Sequence, residues 1–266
     1  VNAQYIKMPE VLKFFNITKG GRAEFTFSDD NGNITKLKLS PEIVPYQDAI
    51  NINDEIKNKP VSMSGDSKSE YSDLYWYKYI PQDKIMYFQC NSCIDRNTGK
   101  EIGIKDCEKL PEFDKFEDGL IKQLNEKEIN KFIIDLRRNT GGDSRLMTDF
   151  TSRLSNIKKL DQKGKIFIIT GRKTFSSAVF ACISLKESTQ AISFGEPTGG
   201  NVNGYGNIKS IILPNSKINI SYSTKYFNLS SEYKDSFTPD VEIEQSYDDY
   251  VNGIDDAYEA IKNYKG

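Results

Sequence analysis

The chain has 266 residues, 28% of them charged, and a formal net charge of −2; it therefore has no basic field for nucleic acid or an anionic membrane, and we expect neither as a partner. The sequence contains no histidine, which excludes a Ser–His–Asp triad within this chain and a zinc site with histidine ligands. No apolar run is long enough to span a bilayer and no secretory signal is recognisable, so we predict no membrane span in this chain.

The first predicted elements, in residues 1–70, are a short helix and a β-hairpin. Apolar spacing predicts the helix at residues 9–15. The runs AEFTF and ITKLKLS alternate on either side of a turn at residues 29–32, which is typical of a hairpin. Residues 45–65 are rich in Asn, Asp, Ser and Pro, which predicts a linker or exposed loop. We therefore predict a smaller, β-rich N-terminal part.

Strands and helices alternate from residue 71 onwards. Strands are predicted at residues 75–80, 84–90, 132–136, 166–170, 191–194, 208–214 and 217–223, with a last extended segment at 237–244. Apolar residues at helical spacing predict helices at residues 115–130, 146–154, 174–187 and 254–263. Asp143 or Ser144 is predicted to cap the second of these helices. The alternation predicts an α/β fold with a largely parallel core.

The segment KIFIITGRKTFSSAVFACISL joins a buried strand to a helix through Ser176 and Ser177. Gly171 ends the strand, Thr174 is predicted to cap the helix, and the apolar spacing that follows predicts a helix with one apolar face. The first N–H groups of a helix have no internal partner and lie at the positive end of its dipole. A serine oxygen there can attack a carbonyl and have the oxyanion stabilised. The alternative is that both serines only cap the helix.

The sequence has four cysteines, at positions 90, 93, 107 and 182. Cys90 and Cys93 form a CxxC motif, which suits half of a metal site, a redox pair, or a disulfide to Cys107. A second CxxC is missing, so we expect no structural zinc, and we predict no metal or cofactor. Cys182 lies on the apolar face of the predicted helix and is interpreted as a core residue.

Two glycine pairs, Gly141–Gly142 and Gly199–Gly200, follow apolar strands. Such pairs are common in tight turns, but they also allow a backbone to approach a substrate and direct N–H groups at it. Neither pair belongs to a P-loop, because no GK[ST] follows, and the dinucleotide-binding pattern GxGxxG is absent.

The motifs IIDLRRNTGG, TFSSA, GEPTGG and a closing Pro239–Asp240 occur in this order. Together they resemble the tail-specific, or C-terminal processing, serine protease family, including its tricorn-core and retinoid-binding-protein-like branches. The resemblance implies a crotonase- or ClpP-like α/β spiral core at residues 71–266, preceded by a β-rich part at 1–70 for which a PDZ-like fragment is one interpretation. It also implies an extracytoplasmic serine peptidase that acts on peptide or protein substrates.

The resemblance assigns roles to residues in these motifs. Ser176 is the implied nucleophile, and the amides of Gly141 and Ser177 are the implied oxyanion hole. Four residues are implied to bind the substrate: Gly142, Gly199, Gly200 and Asn201.

The family's general base is not recognisable in this sequence. The lysine-dyad branch has the motif T-x-G-K, whereas the corresponding motif of this chain, at residues 198–201, has Asn201 in the place of the lysine. Asparagine cannot accept a proton from serine. A glutamate usual after the nucleophile is replaced by Val179 or Phe180, and the histidine of the tricorn-like branch is absent. Candidate substitutes are three lysines and two acids near the motifs: Lys173, Lys209, Lys225, Glu232 and Asp235. Lys225, between aromatic residues, is the best of the lysines, since a base lysine must be desolvated.

The main prediction is therefore a serine peptidase whose base is missing or degenerate. The alternative is a catalytically inactive peptide-binding protein with the same fold, which the loss of the lysine favours. A crotonase-type acyl-CoA enzyme also shares the fold, but no CoA-binding surface is recognisable and the TFSS motif is left unexplained.

Overall fold

The helix and hairpin predicted near the N-terminus are both present. The computed structural model describes residues 8–29, 31–40, 53, 56–65, 71 and 73–265, and the chain forms two compact units, Val1–Asp54 and Glu55–Gly266. The smaller unit contains helix α1 (Pro9–Phe14) and an antiparallel hairpin of strands β1 (Ala23–Ser28) and β2 (Ile34–Leu39). Asp29 Oδ1 closes the turn by accepting the N–H groups of Asn31 and Asn33. The PDZ-like assignment of this unit stays a prediction.

The larger unit is built on a six-stranded mixed sheet. Its strands are β3 (Tyr75–Ile80), β4 (Ile85–Cys90), β5 (Lys131–Asp135), β6 (Ile166–Thr170), β7 (Ile192–Gly195) and, after the hairpin described below, β10 (Val241–Glu242). The spatial order is β10–β7–β6–β5–β4–β3, and only the β3–β4 pair is antiparallel. This confirms the α/β class with a largely parallel core, although the extended segment at 237–244 contributes only two paired residues.

Helices follow most of these strands. They are α2 (Arg96–Glu101), α3 (Phe113–Glu126), α4 (Ser144–Ser155), α5 (Ser177–Ser188), α6 (Tyr247–Val251) and α7 (Asp256–Asn263). Helices α2 and α6 are additions to the prediction; α2 is polar, and its first turn is held by Asp95, which accepts the N–H of Thr98 at 2.8 Å. None of the helices described has the length and apolar character needed to cross a membrane.

Alternate residues of the strands divide the core into two layers. Met86 and Phe88 of β4 belong to the cluster that includes residues of α3, α4 and α5, whereas Ile85 and Tyr87 belong to the cluster that includes α7. The prediction of one apolar face for α5 is wrong, because the helix is buried around most of its circumference. Cys182, on this helix, is a fully buried core residue, as predicted.

A hairpin outside the main sheet is formed by β8 (Gly204–Ile212) and β9 (Asn219–Phe227). The two strands predicted here are confirmed, but both are longer than the pattern indicated: β8 begins earlier than predicted, and β9 begins and ends later. Most of the hairpin is exposed. At its base the ring of Phe227 packs against Phe180 of α5, with ring centroids 5.1 Å apart.

A charged cluster joins the end of β5 to the start of α7. The largely buried Arg137 lies 2.9 Å from Asp135 through Nε and 2.9 Å from Asp255 through Nη1. Ser62 Oγ donates to the same Asp255 at 2.6 Å. This contact places residues 56–65 on the larger unit, which therefore begins before residue 71.

We expect the stability of the larger unit to fall in acid, because of Asp255. Burial raises the pKa of the Asp255 carboxyl. The charge of Arg137 and the hydrogen bonds from Arg137 and Ser62 outweigh burial, so the pKa lies below its ordinary value of 3.8. A lowered pKa stabilises the fold above the unfolded value, and that contribution is lost as pH falls through the native pKa. Urea unfolding from pH 6 to pH 2.5 measures the loss. Asp255→Asn should have a shallower pH dependence, and an unchanged slope would contradict the assignment.

Candidate active site

The candidate site lies where the loops after β5 and β6 meet. These neighbouring parallel strands end at the same edge of the sheet, so the loops that follow them emerge side by side. Thr174 Oγ1 donates to the carbonyl oxygen of Leu136 at 2.8 Å, and the N–H of Phe175 donates to that of Asn139 at 2.9 Å. These bonds bring the NTGG turn next to Ser176.

Ser176 has a strained backbone at the start of α5. Its φ is 54° and its ψ is −125°, and its exposed side chain makes no capping hydrogen bond. Non-glycine residues rarely adopt such angles, and strained serines between a strand and a helix are typical of nucleophiles. The prediction that Thr174 caps the helix is wrong, because its hydroxyl is buried and bonded to Leu136 and Gly171. Ser176 occupies the cap position but does not cap the helix with its side chain.

Two backbone N–H groups beside Ser176 are free to bind an anion. In the part of the chain that the structure describes, the N–H groups of Gly142 and Ser177 have no hydrogen-bond acceptor. By contrast, the N–H of Gly141 donates to Asn139 Oδ1 at 2.8 Å. The resemblance assigned the oxyanion hole to Gly141 and Ser177. The Gly141 amide is already engaged, so Gly142 and Ser177 are the pair available for that role.

Gly142 can only be glycine in this conformation. Its φ is +130°, and a Cβ atom there would lie 2.1 Å from the carbonyl oxygen of Cys93. The close approach is a short parallel bridge, in which the N–H of Cys93 donates to Gly141 O at 2.9 Å and the N–H of Asp143 donates to Cys93 O at 2.7 Å. The segment that carries Cys93 therefore fixes the direction of the Gly142 amide.

A cleft of about 570 Å³ opens in front of Ser176. Six of the predicted site residues line it: Ser176, Ser177, Gly142, Gly199, Gly200 and Asn201. Gly141 does not line it but lies behind Ser176, where an added Cβ would be 3.2 Å from Ser176 Oγ. The base of the β8–β9 hairpin forms one wall, through Gly204, Tyr205, Gly206, Asn207 and Phe227. The sequence pattern predicted the hairpin strands but gave no sign that they reach this cleft.

The glycine turn at 199–200 is held by the buried Thr198. Its N–H donates to Phe237 O at 3.0 Å, and its hydroxyl donates to Gly200 O and accepts the N–H of Phe237. The N–H of Gly200 in turn donates to Thr174 O at 3.1 Å. This second glycine turn is therefore fixed against the nucleophile segment.

Among the residues that the structure describes, the cleft lining offers no evident general base. Its titratable lining residues are Asp143 and Tyr205. Burial raises the pKa of Asp143, but hydrogen bonds from Arg145 and Thr98 outweigh burial and lower it, so this carboxylate is a weak base at neutral pH. The other predicted candidates are all exposed and absent from the lining: Lys173, Lys209, Lys225, Glu232 and Asp235. Lys225 Nζ lies over the ring of Phe227, 4.7 Å from its centroid.

All four cysteines are free, and Cys90 and Cys93 are fully buried behind the glycine turn. The disulfide to Cys107, one of the alternatives for the CxxC motif, is not formed. Within the described residues, no three His, Cys, Asp or Glu side chains are grouped as a metal site requires.

Comparison with solved structures shows that the fold of this chain is similar to that of peptidases. No family model matches the sequence, and no curated protein does. A putative peptidase from Parabacteroides merdae has a TM-score of 0.51 and 16% identity over 76% of this chain and 68% of its own. Mature CPAF complexed with lactacystin has a TM-score of 0.52 and 13% identity, over 92% of this chain and 67% of its own. A second structure of mature CPAF has a TM-score of 0.52 and 14% identity, over 92% of this chain and 66% of its own. The predicted resemblance to peptidases is thus confirmed as a likeness of fold.

Proposed function

We propose that the larger unit is a serine-type peptidase with Ser176 as its nucleophile. One observation carries the proposal: Ser176 is held in a strained backbone between two free amides, at the edge of a cleft. Strain at a residue whose side chain makes no capping hydrogen bond has no evident use in stability, and it is common where a side chain must be presented to a substrate. The peptidase fold is consistent with a peptide or protein substrate.

In the proposed reaction, Ser176 Oγ attacks the carbonyl carbon of a peptide bond. The carbonyl π electrons move to its oxygen, and the N–H groups of Gly142 and Ser177 stabilise the negative charge. Collapse of this intermediate breaks the C–N bond, the amine leaves with a proton, and an acyl-Ser176 ester remains for water to hydrolyse. The proton of Ser176 must pass to a base, and a missing base lowers the rate by about 10²–10⁴-fold.

A fluorophosphonate probe tests the proposal, because its phosphorus reacts with an activated serine in place of a carbonyl. We expect the whole chain to gain one probe, and fragmentation to place it on Ser176. A reactive control enzyme, labelled in a parallel sample, shows that the probe is active. Labelling of a serine other than Ser176, or no labelling of this chain after prolonged incubation, would count against a peptidase.

The oxyanion hole is tested with Gly142→Ala. The added Cβ must move away from the Cys93 carbonyl oxygen, which lies 2.1 Å from its ideal position, and this turns the amide from the cleft. We expect labelling of Ser176 to slow by about 10²-fold, the cost of losing one oxyanion donor. Gly204→Ala is the matched control, since it lines the same cleft and its Cβ would meet nothing within 4 Å. Equal labelling rates for the two variants would mean that the Gly142 amide is not part of the oxyanion hole.

A second candidate is a peptide-binding protein that does not hydrolyse its ligand. The observation that favours it is the cleft lining, where Asn201 stands in place of the family's lysine and Asp143 is a weak base. Binding of unstructured peptides, measured by fluorescence anisotropy in a chain whose Ser176 never labels, would support this candidate. For either candidate function we propose an extracytoplasmic location, which the resemblance to the protease family implies.

A further inference from the structure

A buried cluster behind the cleft has no part in the proposed reaction. It consists of Cys90, Cys93 and Asn139, all fully buried. Asn139 Nδ2 donates to the sulphur of Cys90 at 3.2 Å and to that of Cys93 at 3.4 Å. Its Oδ1 accepts the N–H of Gly141, and its main-chain oxygen accepts the N–H of Phe175. Asn139 therefore joins the two thiols to the glycine turn and to the segment that carries the nucleophile.

The same cluster restrains the glycine turn from both sides. Glycine has few intrinsic backbone restraints, so the direction of its N–H depends on the hydrogen bonds around it. Asn139 holds Gly141 from one side, and the main chain of Cys93 pairs with Gly141 and Asp143 from the other. A displacement of either partner would change the direction of the Gly142 amide.

The two thiols are close together and unequal. A hydrogen bond from Cys90 lowers the pKa of Cys93, against the effect of its burial, and the Ser177 hydroxyl and Asn139 lower it further. The same bond and burial raise the pKa of Cys90. Cys93 is therefore the stronger acid of the two, and the buried Ser177 hydroxyl beside it, on a residue that lines the cleft, has no other hydrogen-bond partner.

We propose that Asn139 is a positioning residue for the serine site, and that it keeps this role only while Cys90 and Cys93 are thiols. The pair is then a redox control of Ser176. The inference rests on the proposed function for its effect on Ser176, whereas its effect on the glycine turn does not depend on catalysis.

The oxidant we assign is hydrogen peroxide, a small neutral molecule that oxidises thiolates. The Cys93 thiolate attacks one peroxide oxygen, the O–O bond breaks, and the departing hydroxide takes up a proton to leave as water, which gives a sulfenic acid. The Cys90 sulphur then attacks the Cys93 sulphur, an S–S bond forms, the S–O bond breaks, and the second water leaves with the Cys90 proton. Two thiols lose two electrons, and one peroxide is reduced to two waters.

The disulfide would release Asn139. The two sulphurs of the disulfide move to about 2.05 Å from each other, away from the positions in which they accept the Asn139 Nδ2 donor. The buried amide must then move to find new partners, since an unsatisfied buried donor is costly. Movement of Asn139 frees the N–H of Gly141 and loosens the bond to Phe175.

Amide hydrogen exchange of the whole chain, measured by NMR before and after peroxide treatment, tests the inference. We expect a Cys90–Cys93 disulfide in the peptide map, exchange at Gly141 faster by about 10-fold or more, and fluorophosphonate labelling of Ser176 slower by about 10-fold or more. A phosphine reductant should reverse all three changes.

Two variants separate this control from general damage. Cys107→Ser removes the half-buried thiol outside the cluster, and it should respond to peroxide as the native chain does. Cys90→Ser cannot form the disulfide, and it should show no reversible change at Gly141. No disulfide, a disulfide from Cys93 to Cys182, or unchanged exchange at Gly141 in the oxidised chain would each overturn the inference. Faster exchange in a chain whose reduced form never labels supports the inference and counts against the peptidase instead.

Discussion

Replacing Ser176 with alanine is expected to abolish acylation of this chain. Fluorophosphonate labelling should fall by at least ~10³-fold, because alanine has no oxygen that can attack the phosphorus and displace fluoride. The fold should survive, since the Ser176 side chain makes no capping hydrogen bond and is exposed. Time-resolved intact-mass measurement gives the labelling rate, and the unfolding midpoint checks the fold.

Ser144→Ala is the control for this experiment. Ser144 lines the same cleft and is the first residue of α4, so it tests whether any serine of the cleft reacts. We expect its labelling rate to stay within a few-fold of that of the native chain. If Ser144→Ala loses labelling and Ser176→Ala keeps it, the nucleophile has been assigned to the wrong strand-to-helix junction.

Replacing Arg137 with methionine is expected to destabilise the larger unit by about 3–5 kcal/mol, the usual cost of removing one partner of a buried ion pair. Methionine keeps much of the side-chain volume, so the loss comes from charge. Asp255 is 3% exposed and Asp135 1% exposed, and without the guanidinium both buried carboxylates lose their positively charged partner. Urea unfolding at pH 7 measures the change.

The neighbouring Arg138→Met is the matched control. Arg138 is exposed, and surface substitutions of this kind usually change stability by less than about 0.5 kcal/mol. A destabilisation of Arg137→Met no larger than that of the control would mean that water or rearrangement compensates the two carboxylates, and that the cluster does not hold α7 to the sheet.

Local sequence patterns were enough to predict the junction at Ser176. The strand before it is a continuous apolar run, the glycine ends the strand, and the spacing after the serines is helical, so each signal comes from residues close in sequence. The motif order added the peptidase resemblance. The strained φ of Ser176 could not be predicted this way, because it depends on Gly200 and Asn139 bonding the preceding residues from other loops.

The choice between the two glycine amides lay beyond the sequence pattern. Gly141 and Gly142 are adjacent and alike in the motif, and only the Asn139 side chain and the Cys93 main chain distinguish them. Asn139 carried a signal only as a residue suited to turns. The hairpin wall of the cleft was missed for a similar reason, since it depends on a contact between Phe180 and Phe227.

The cleft is assembled from parallel-strand loops that lie far apart along the chain. Gly142, Ser176 and Gly200 reach one another only after the crossovers between β5, β6 and β7 have formed, and such non-local pairings form late and slowly. A chain still being synthesised, or one that has lost part of its sheet, has Ser176 and the adjacent Ser177 amide, but the Gly142 amide and the wall are not in place. The proposed site is therefore complete only in the finished sheet, and its chemistry is confined to the folded chain.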